Sequence, residues 1–453
     1  MDDVFYQSWS NTNNLHPVGA AVTLVLATLL VLVPRRWMFA PLFAACLIPA
    51  GQRIVVGGFD FDVLRIMLAV GWARAMWTPG IVLRLGRLDL AFIAWCLVSL
   101  IAAAYSDRPG GVVRQLGSAY DALGSYFLLR MILPDRKALL TAGIALAVLA
   151  LPTVVAMLIE NRNGMNPFAF LGGVPQYTPW RDGRLRAQGP FSHPILAGCF
   201  WAAALGVIVP VIFHRAHLRN WMILGAVASV MIVVFCASST PVMAVFVGFV
   251  FACTFYWRHF APMAKVVLPV GLISLHFLMD KPVWHLMGRM NIVGGSTGWH
   301  RYVLFDQFVK HADEWFWAGS DLGTLHWDGY LIDVTNLYVV QGLHGGIVVI
   351  LTFCAIILFA FFDVGEGLRQ ENRSDPASRR ESIIVWGVAA MLAMHTLNYM
   401  AITYFGQTQL MWHFALAAAA ACRVGDITQT VAEPRPALPV GLIRPVWEGV
   451  RAQ

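Results

Sequence analysis

Arginine, histidine, asparagine and glycine collect in three segments whose spacing could do chemistry on an anion. The first, Gly183-Arg184-Leu185-Arg186-Ala187-Gln188-Gly189-Pro190-Phe191-Ser192-His193-Pro194, runs a basic loop straight into an apolar stretch. Guanidinium forks pair bidentately with phosphate oxygens, and cations fixed at a bilayer edge suit a lipid pyrophosphate. Arg181, Arg184 and Arg186 also read as ordinary interfacial anchors. His193 reads either as a general base or hydrogen-bond donor, or as a structural residue beside a proline at a helix start.

The second segment, Gly294-Gly295-Ser296-Thr297-Gly298-Trp299-His300-Arg301-Tyr302, is a Gly-rich turn feeding a helix with an arginine in its first turn. Exposed backbone N–H groups and the helix dipole favour an anion there, but without a P-loop lysine it is no nucleotide site. The third is Gly319-Ser320-Asp321-Leu322-Gly323, followed by Asp333-Val334-Thr335-Asn336-Leu337-Tyr338 leading into an apolar run. Polar groups at a helix mouth are candidate site residues, and Thr335 or Asn336 is equally a helix cap.

The elements that must hold these segments are membrane helices. The chain is 58% hydrophobic and 13% charged, with a mean hydropathy of +0.65, which leaves too little polar surface to cover a water-soluble globule. The net charge of +7 sits in short clusters between apolar runs rather than in a patch for nucleic acid, and no nucleic-acid partner is expected. All seven cysteines fall in or beside apolar runs with no CxxC spacing, so neither disulfides nor a zinc site is expected. Met1 to His16 carries no Lys or Arg and no removable signal peptide is expected.

A span needs roughly 20 apolar residues, and such runs lie near 17–34, 62–78, 88–105, 114–133, 137–160, 191–213, 219–237, 241–257, 263–279, 336–362, 382–400 and 402–422. A shorter run at 37–50 brings the expectation to about twelve or thirteen spans. The fold class is therefore all-α, a polytopic bundle in a single transmembrane domain over residues 1–422, with a Pro-rich tail at 423–453. Basic clusters at Arg35/Arg36, Arg84/Arg87, Arg136/Lys137, His214 to Arg219, Arg258/Lys265 and Arg369 to Arg380 fall on alternate connections and mark the cytoplasmic side. Loops 161–190 and 280–335 then face outward, the tail inward. Connections this long are usually functional or disordered. The tryptophans of 280–335 and the helix-like spacing of Tyr302, Phe305, Phe308 and Val309 point to an amphipathic helix at the membrane surface. Positive charge on an outward loop runs against the orientation rule, so the cluster around Arg186 wants an anionic partner.

In order and spacing, the three segments together resemble the O-antigen ligase and O-antigen polymerase superfamily of bacterial membrane glycosyltransferases. The resemblance rests on Arg186 with Gly189-Pro190-Phe191-Ser192-His193-Pro194, then Arg301, then Gly319-Ser320-Asp321-Leu322-Gly323, then Thr335-Asn336-Leu337-Tyr338, and covers roughly residues 60–425. It departs at Thr335, where the family has histidine, and at Ser238-Ser239-Thr240-Pro241, where a Ser-Arg pair is usual. The resemblance implies an inner-membrane enzyme with a periplasmic active site. It would transfer a saccharide from undecaprenyl pyrophosphate to a hydroxyl on lipid A core or on another carrier-linked repeat, with no metal or other cofactor. It also implies that Arg186, Arg301, Thr335 and Asp333 are catalytic, with Arg184, His193, His300, Asn336 and Tyr338 binding substrate. Asp333, His326 or His300 would stand in for the missing histidine, unless arginine-assisted departure of the pyrophosphate makes a base dispensable.

Two other classes compete. Asp60-Phe61-Asp62 has two carboxylates one residue apart that suit a divalent ion in a metal-dependent lipid-phosphate-sugar glycosyltransferase, or are a loop acid and a helix cap. A flippase or exporter needs charges along a path through the spans, for which Arg65, Arg114, Asp121 and Arg130 are the candidates. Arg114 and Arg130 are expected to snorkel, and Asp121 to pair with Arg65.

Overall fold

The computed structural model describes residues 13–56, 59–78, 83–106, 111–289, 298–329, 331, 333–369 and 375–423. The Gly294 to Thr297 turn and the tail beyond Arg423 lie outside the described residues. Local chemistry sets where helices begin. His16 caps α1 (Pro17–Leu32), accepting from Val18 N. After the short α2 (Phe39–Ala45), strands β1 (Arg53–Val56) and β2 (Phe59–Asp62) pair antiparallel, and Asp62 caps α3 (Val63–Met76) by accepting from Arg65 N. There follow α4 (Arg87–Tyr105), α5 (Gly111–Ile132) and α6 (Arg136–Asn163), the last capped by Asp135 and closed by Gly164 at φ 69°. A left-handed residue at that position is what a helix C-terminus most often uses glycine for.

A second small hairpin, β3 (Trp180–Arg181) and β4 (Arg184–Leu185), precedes α7 (Pro194–His214), α8 (Arg219–Phe235), α9 (Ser239–Thr254) and α10 (Ala261–Leu278). The outer segment contributes α11 (Leu286–Arg289), α12 (Gly298–Lys310) and α13 (Ala312–Trp315). The chain closes with α14 (Leu337–Arg369), α15 (Pro376–Asn398) and α16 (Gln407–Cys422). The architecture is an all-α bundle. Among the described residues, six helical segments are long and apolar enough to cross a membrane: Arg87–Tyr105, Arg136–Asn163, Pro194–His214, Ala216–Phe235, Ser239–Phe260 and Leu337–Arg369.

Hydrogen bonds define two ends of this bundle. At one, Arg35 Nε donates to Met131 O (2.8 Å), Arg74 Nη1 to Leu30 O (2.9 Å) and Arg136 Nε to Cys422 O (3.2 Å), while Arg87 pairs with Asp363 (3.2 Å). At the other, Gln407 Nε2 donates to Pro190 O (3.1 Å) and Ile48 O (3.4 Å), and Leu337 N to Tyr399 O (2.8 Å). The run at 37–50 yields only a seven-residue helix, yet it still links Arg35 at the first end to Ile48 at the second. α7 is the most buried of the six spans, and Gly206 of α7 meets Gly387 of α15 so closely that a Cβ on Gly206 would stand 2.6 Å from the Gly387 carbonyl. Small residues let membrane helices approach in this way.

Three sequence expectations are corrected by packing. Arg130 does not snorkel: it is 2% exposed and pairs with the equally buried Asp89 (3.0 Å), which also accepts from Tyr126 (2.7 Å). An isolated charge inside a bundle is too costly, so the first-turn carboxylate of α4 neutralises it. The 336–362 run is no continuous helix, because Gly345 and Gly346 leave helical geometry (Gly346 φ 70°, ψ −162°) and break α14. The backbone groups freed there are satisfied by the outer segment, Ile347 N donating to Phe316 O (2.8 Å) and Ser320 N to Leu343 O (2.9 Å). Irregular backbone at a span is tolerated where protein covers it. The 51–61 and 161–190 connections also carry strand pairs where only loop was expected.

Candidate functional site

The Arg186 loop is held from below by a residue the sequence reading passed over. Glu160, fully buried in the last turn of α6, accepts from Gln188 N (3.0 Å), Gly189 N (2.8 Å) and Thr178 Oγ1 (3.3 Å). Asn166 Nδ2 donates to Gly189 O (2.8 Å), and Arg186 N to Pro179 O (2.9 Å). Asp182 (φ 49°) and Gly183 (φ 75°) make the two-residue turn of the β3–β4 hairpin. Asp-Gly is the standard signal for such a turn, and it was present in the sequence. Arg184 and Arg181 face each other across that hairpin and are exposed, whereas Arg186, just beyond it, is 8% exposed. The three arginines are thus not equivalent: Arg184 is at the surface and Arg186 is inside.

Arg301 comes to the same place from the other side of the chain. Ala187 N donates to Phe235 O (3.0 Å), fastening the Arg186 loop to the C-terminus of α8. Five residues on, Thr240 in the first turn of α9 accepts from Arg301 Nη2 at 3.0 Å. The connection between them turns at Ala237, whose φ of 43° is unusual for a residue with a side chain, and Pro241 packs against Gly198 of α7, where a Cβ would stand 2.6 Å from the proline ring. The single turn 235–240 therefore holds the guanidinium of Arg301 and the backbone next to Arg186, although the two arginines are 115 positions apart (301 − 186).

The electrostatics is that of a cationic site. Nε of Arg186 and Nε of Arg301 are buried without a hydrogen-bond partner, and neither guanidinium has a carboxylate within ion-pair distance among the described residues. Burial depresses the basicity of both, and the charge of Arg181 depresses it further. His193 caps α7, its Nδ1 accepting from Ile195 N (3.1 Å). Burial, then the charges of Arg186 and Arg181, push its pKa down to about 4. At neutral pH it is an uncharged cap whose Nδ1 is an acceptor, which leaves the proton on Nε2.

The third segment joins at the start of α14. Asn336 is the cap, Oδ1 accepting from Tyr338 N (3.0 Å) and Val339 N (3.3 Å), while its Nδ2 has no partner. Thr335 Oγ1 is also buried without a partner. Tyr338 OH donates to Thr396 O (3.1 Å) and Thr403 Oγ1 to Val334 O (3.2 Å), tying this start to the α15–α16 connection. Asp333 is exposed, and its backbone carbonyl accepts from His300 Nε2 (3.0 Å). His326 is committed to Glu314 (2.8 Å), which also accepts from Trp327 (3.0 Å).

The geometry thus gathers Arg186, His193, Arg301, Thr335, Asn336 and Tyr338 at the end of the bundle opposite the basic clusters, with His300 beside them and Arg184 and Asp333 at the surface. Tyr404, Asn398 and Tyr399, in the connection between α15 and α16, belong to the same end and had no signal in sequence, because their apolar surroundings read as span. At the Asp60-Phe61-Asp62 run, Asp60 pairs with Arg53 (3.5 Å) and Asp62 is the α3 cap, so both carboxylates already serve the fold. Arg65 and Asp121 do pair, at 2.7 Å, and Arg130 is bound to Asp89, so these charges of the transport path are neutralised locally. No family model matches this chain and no curated protein matches it in sequence.

Proposed function

We propose that the chain is a membrane glycosyltransferase of the O-antigen ligase type, moving a saccharide from undecaprenyl pyrophosphate to a hydroxyl acceptor. The observation that carries this reading is the pair of arginines brought to one turn, Arg186 and Arg301, whose buried Nε atoms have no hydrogen-bond partner among the described residues. Two buried cations without carboxylates call for a ligand of two or more negative charges, and a pyrophosphate supplies them. The basic clusters at the opposite end of the bundle support, by the positive-inside rule, a site on the periplasmic side of an inner membrane.

In the reaction the acceptor oxygen attacks the anomeric carbon, the bond from that carbon to the pyrophosphate oxygen breaks, and the electron pair leaves with the pyrophosphate. Arg186 and Arg301 stabilise that developing charge, which is the largest single contribution in this kind of site. The hydroxyl proton passes to the departing pyrophosphate, so Thr335 in place of histidine is no obstacle. The outer segment docked on the α14 break covers the donor and keeps out the water that would hydrolyse it. The acceptor is lipid A core for a ligase or another carrier-linked repeat for a polymerase. Purified protein incubated with undecaprenyl-pyrophosphate saccharide and each acceptor tests the reading; release of pyrophosphate lipid with no glycosylated product in either case refutes it.

A further inference from the structure

Beside the cationic pair lies a second set of unsatisfied groups, and it is neutral. Thr335 Oγ1, Asn336 Nδ2, Asn398 Oδ1, Tyr399 OH and His395 Nε2 are all buried without a partner among the described residues. Asn336, His395, Asn398 and Tyr399 are each 0% exposed. The two stretches that carry them are stitched together by Leu337 N to Tyr399 O (2.8 Å) and Tyr338 OH to Thr396 O (3.1 Å). Tyr404 fills the middle, its hydroxyl meeting Asn398 Nδ2 (2.9 Å) and His395 Nδ1 (3.1 Å) and bonding Cys199 of α7. Cys199 adjoins Gly198, which packs on Pro241 beside the Thr240 that holds Arg301.

Buried polar groups are nearly always satisfied, so five orphans on two apposed stretches need an explanation. Some other polar groups of the bundle are satisfied at short range, Gln341 accepting from Trp95 (2.8 Å) and Thr408 donating to Leu196 O (3.1 Å), and orphans such as Ser99 Oγ on α4 and Trp201 Nε1 on α7 lie on separate helices. The orphan set offers an amide donor, an amide acceptor, two hydroxyls and an imidazole, carries no carboxylate or guanidinium, and is flanked by the rings of Tyr338, Tyr399 and Tyr404. Donors and acceptors of neutral type among aromatic faces suit a polyol. An anion would find no cation here and an apolar chain would leave the orphans unmet.

We propose that this nest is the saccharide subsite, taking the hydroxyls of the sugar whose pyrophosphate sits on Arg186 and Arg301. The inference rests on the donor reading above, since a sugar joined to pyrophosphate must lie next to it. Tyr399→Phe and Thr335→Val delete only atoms that have no partner among the described residues, so both variants are expected to fold with wild-type thermal stability. The probes are a short-chain polyprenyl pyrophosphate and the same lipid carrying one N-acetylhexosamine, with Kd measured for each in detergent. The wild type should prefer the sugar-bearing lipid, and each variant should lose roughly threefold to tenfold of that preference, the worth of one neutral hydrogen bond, while binding the bare pyrophosphate lipid unchanged. Equal affinity of the wild type for both lipids, or a preference untouched in both variants, overturns the subsite and leaves the arginine site standing, with buried water as the occupant of the nest. Binding of neither lipid removes the donor reading and the subsite with it.

Discussion

Replacing Arg301 by methionine separates charge used for function from charge used for folding. Its guanidinium makes one hydrogen bond, Nη2 to Thr240 at 3.0 Å, and Nε has none. Burial already depresses its basicity, so the fold gains little from the charge. Methionine fills similar volume, loses one charge-assisted bond worth about 1.5–3 kcal/mol, and relieves a partly buried cation with no ion-pair partner among the described residues, whose removal is worth a comparable amount. The unfolding midpoint of Arg301→Met should therefore stand close to wild type. Transfer should fall on the order of 10²–10³, as for loss of one charged donor to a developing oxyanion. Arg186→Met should behave alike, and Arg→Lys at either place should recover only part of the rate, because a point charge does not reproduce the bidentate fork. The assay is initial transfer rate in reconstituted membranes beside thermal unfolding of the same preparations. Near-normal turnover in Arg301→Met, or a loss of stability in step with activity, refutes a role in holding the leaving group.

Four other outcomes are expected. Thr335→Ala should slow transfer only mildly and Thr335→His should be tolerated; abolition of transfer by His300→Ala, His326→Ala or Asp333→Ala, with Arg186→Ala active, would instead put a displaced base in charge. A chelator and Asp60→Asn should both leave transfer rates unchanged, and activity restored only by added Mg²⁺ or Mn²⁺ would transfer the reading to the metal-dependent class. Glu160→Ala should cost transfer more than tenfold by leaving the N–H groups of Gln188 and Gly189 unpaired, about 1–3 kcal/mol each, with partial rescue by Glu160→Gln; equal rates in the two variants would show that the carboxylate does not position Arg186. For His193 the folded pKa of about 4 lies below the ordinary 6.5, so the unfolded chain binds more protons between those values and stability falls as pH drops through that window. His193→Asn, which keeps a capping side chain, should flatten that acid loss in a pH series of unfolding midpoints.

Legibility differed with the range of the interaction involved. Helix starts at Asp62, Asp135 and Asp375 and the stop at Gly164 depend on neighbours three or four residues away, so composition and spacing suffice to find them. The same holds for the 3.6-residue pattern of α12, and it would have held for the Asp182-Gly183 turn. The break of α14 at Gly345-Gly346 was not legible, because two glycines in an apolar run read equally as close packing, and only the docking of Phe316 and Ser320 makes a break tolerable. Arg130 was misread for a related reason: its partner Asp89 lies 41 positions away on another helix.

From its residues alone the chain determined that it is an apolar all-α bundle with basic connections on one side and two long polar-aromatic segments on the other, because lipid demands both. The segments proposed to carry chemistry were marked by arginine, glycine and asparagine placed where a span should not need them. Only the tertiary structure decided which of those residues act together. Arg301 and the Arg186 loop come to one turn because residues 235–240 bond both, Arg184 stays at the surface because a hairpin turns it outward, and Tyr399 and Asn398 join Asn336 through a backbone bond between distant segments. Such convergence is set by packing among helices far apart in the chain, and no local pattern of side chains encodes it.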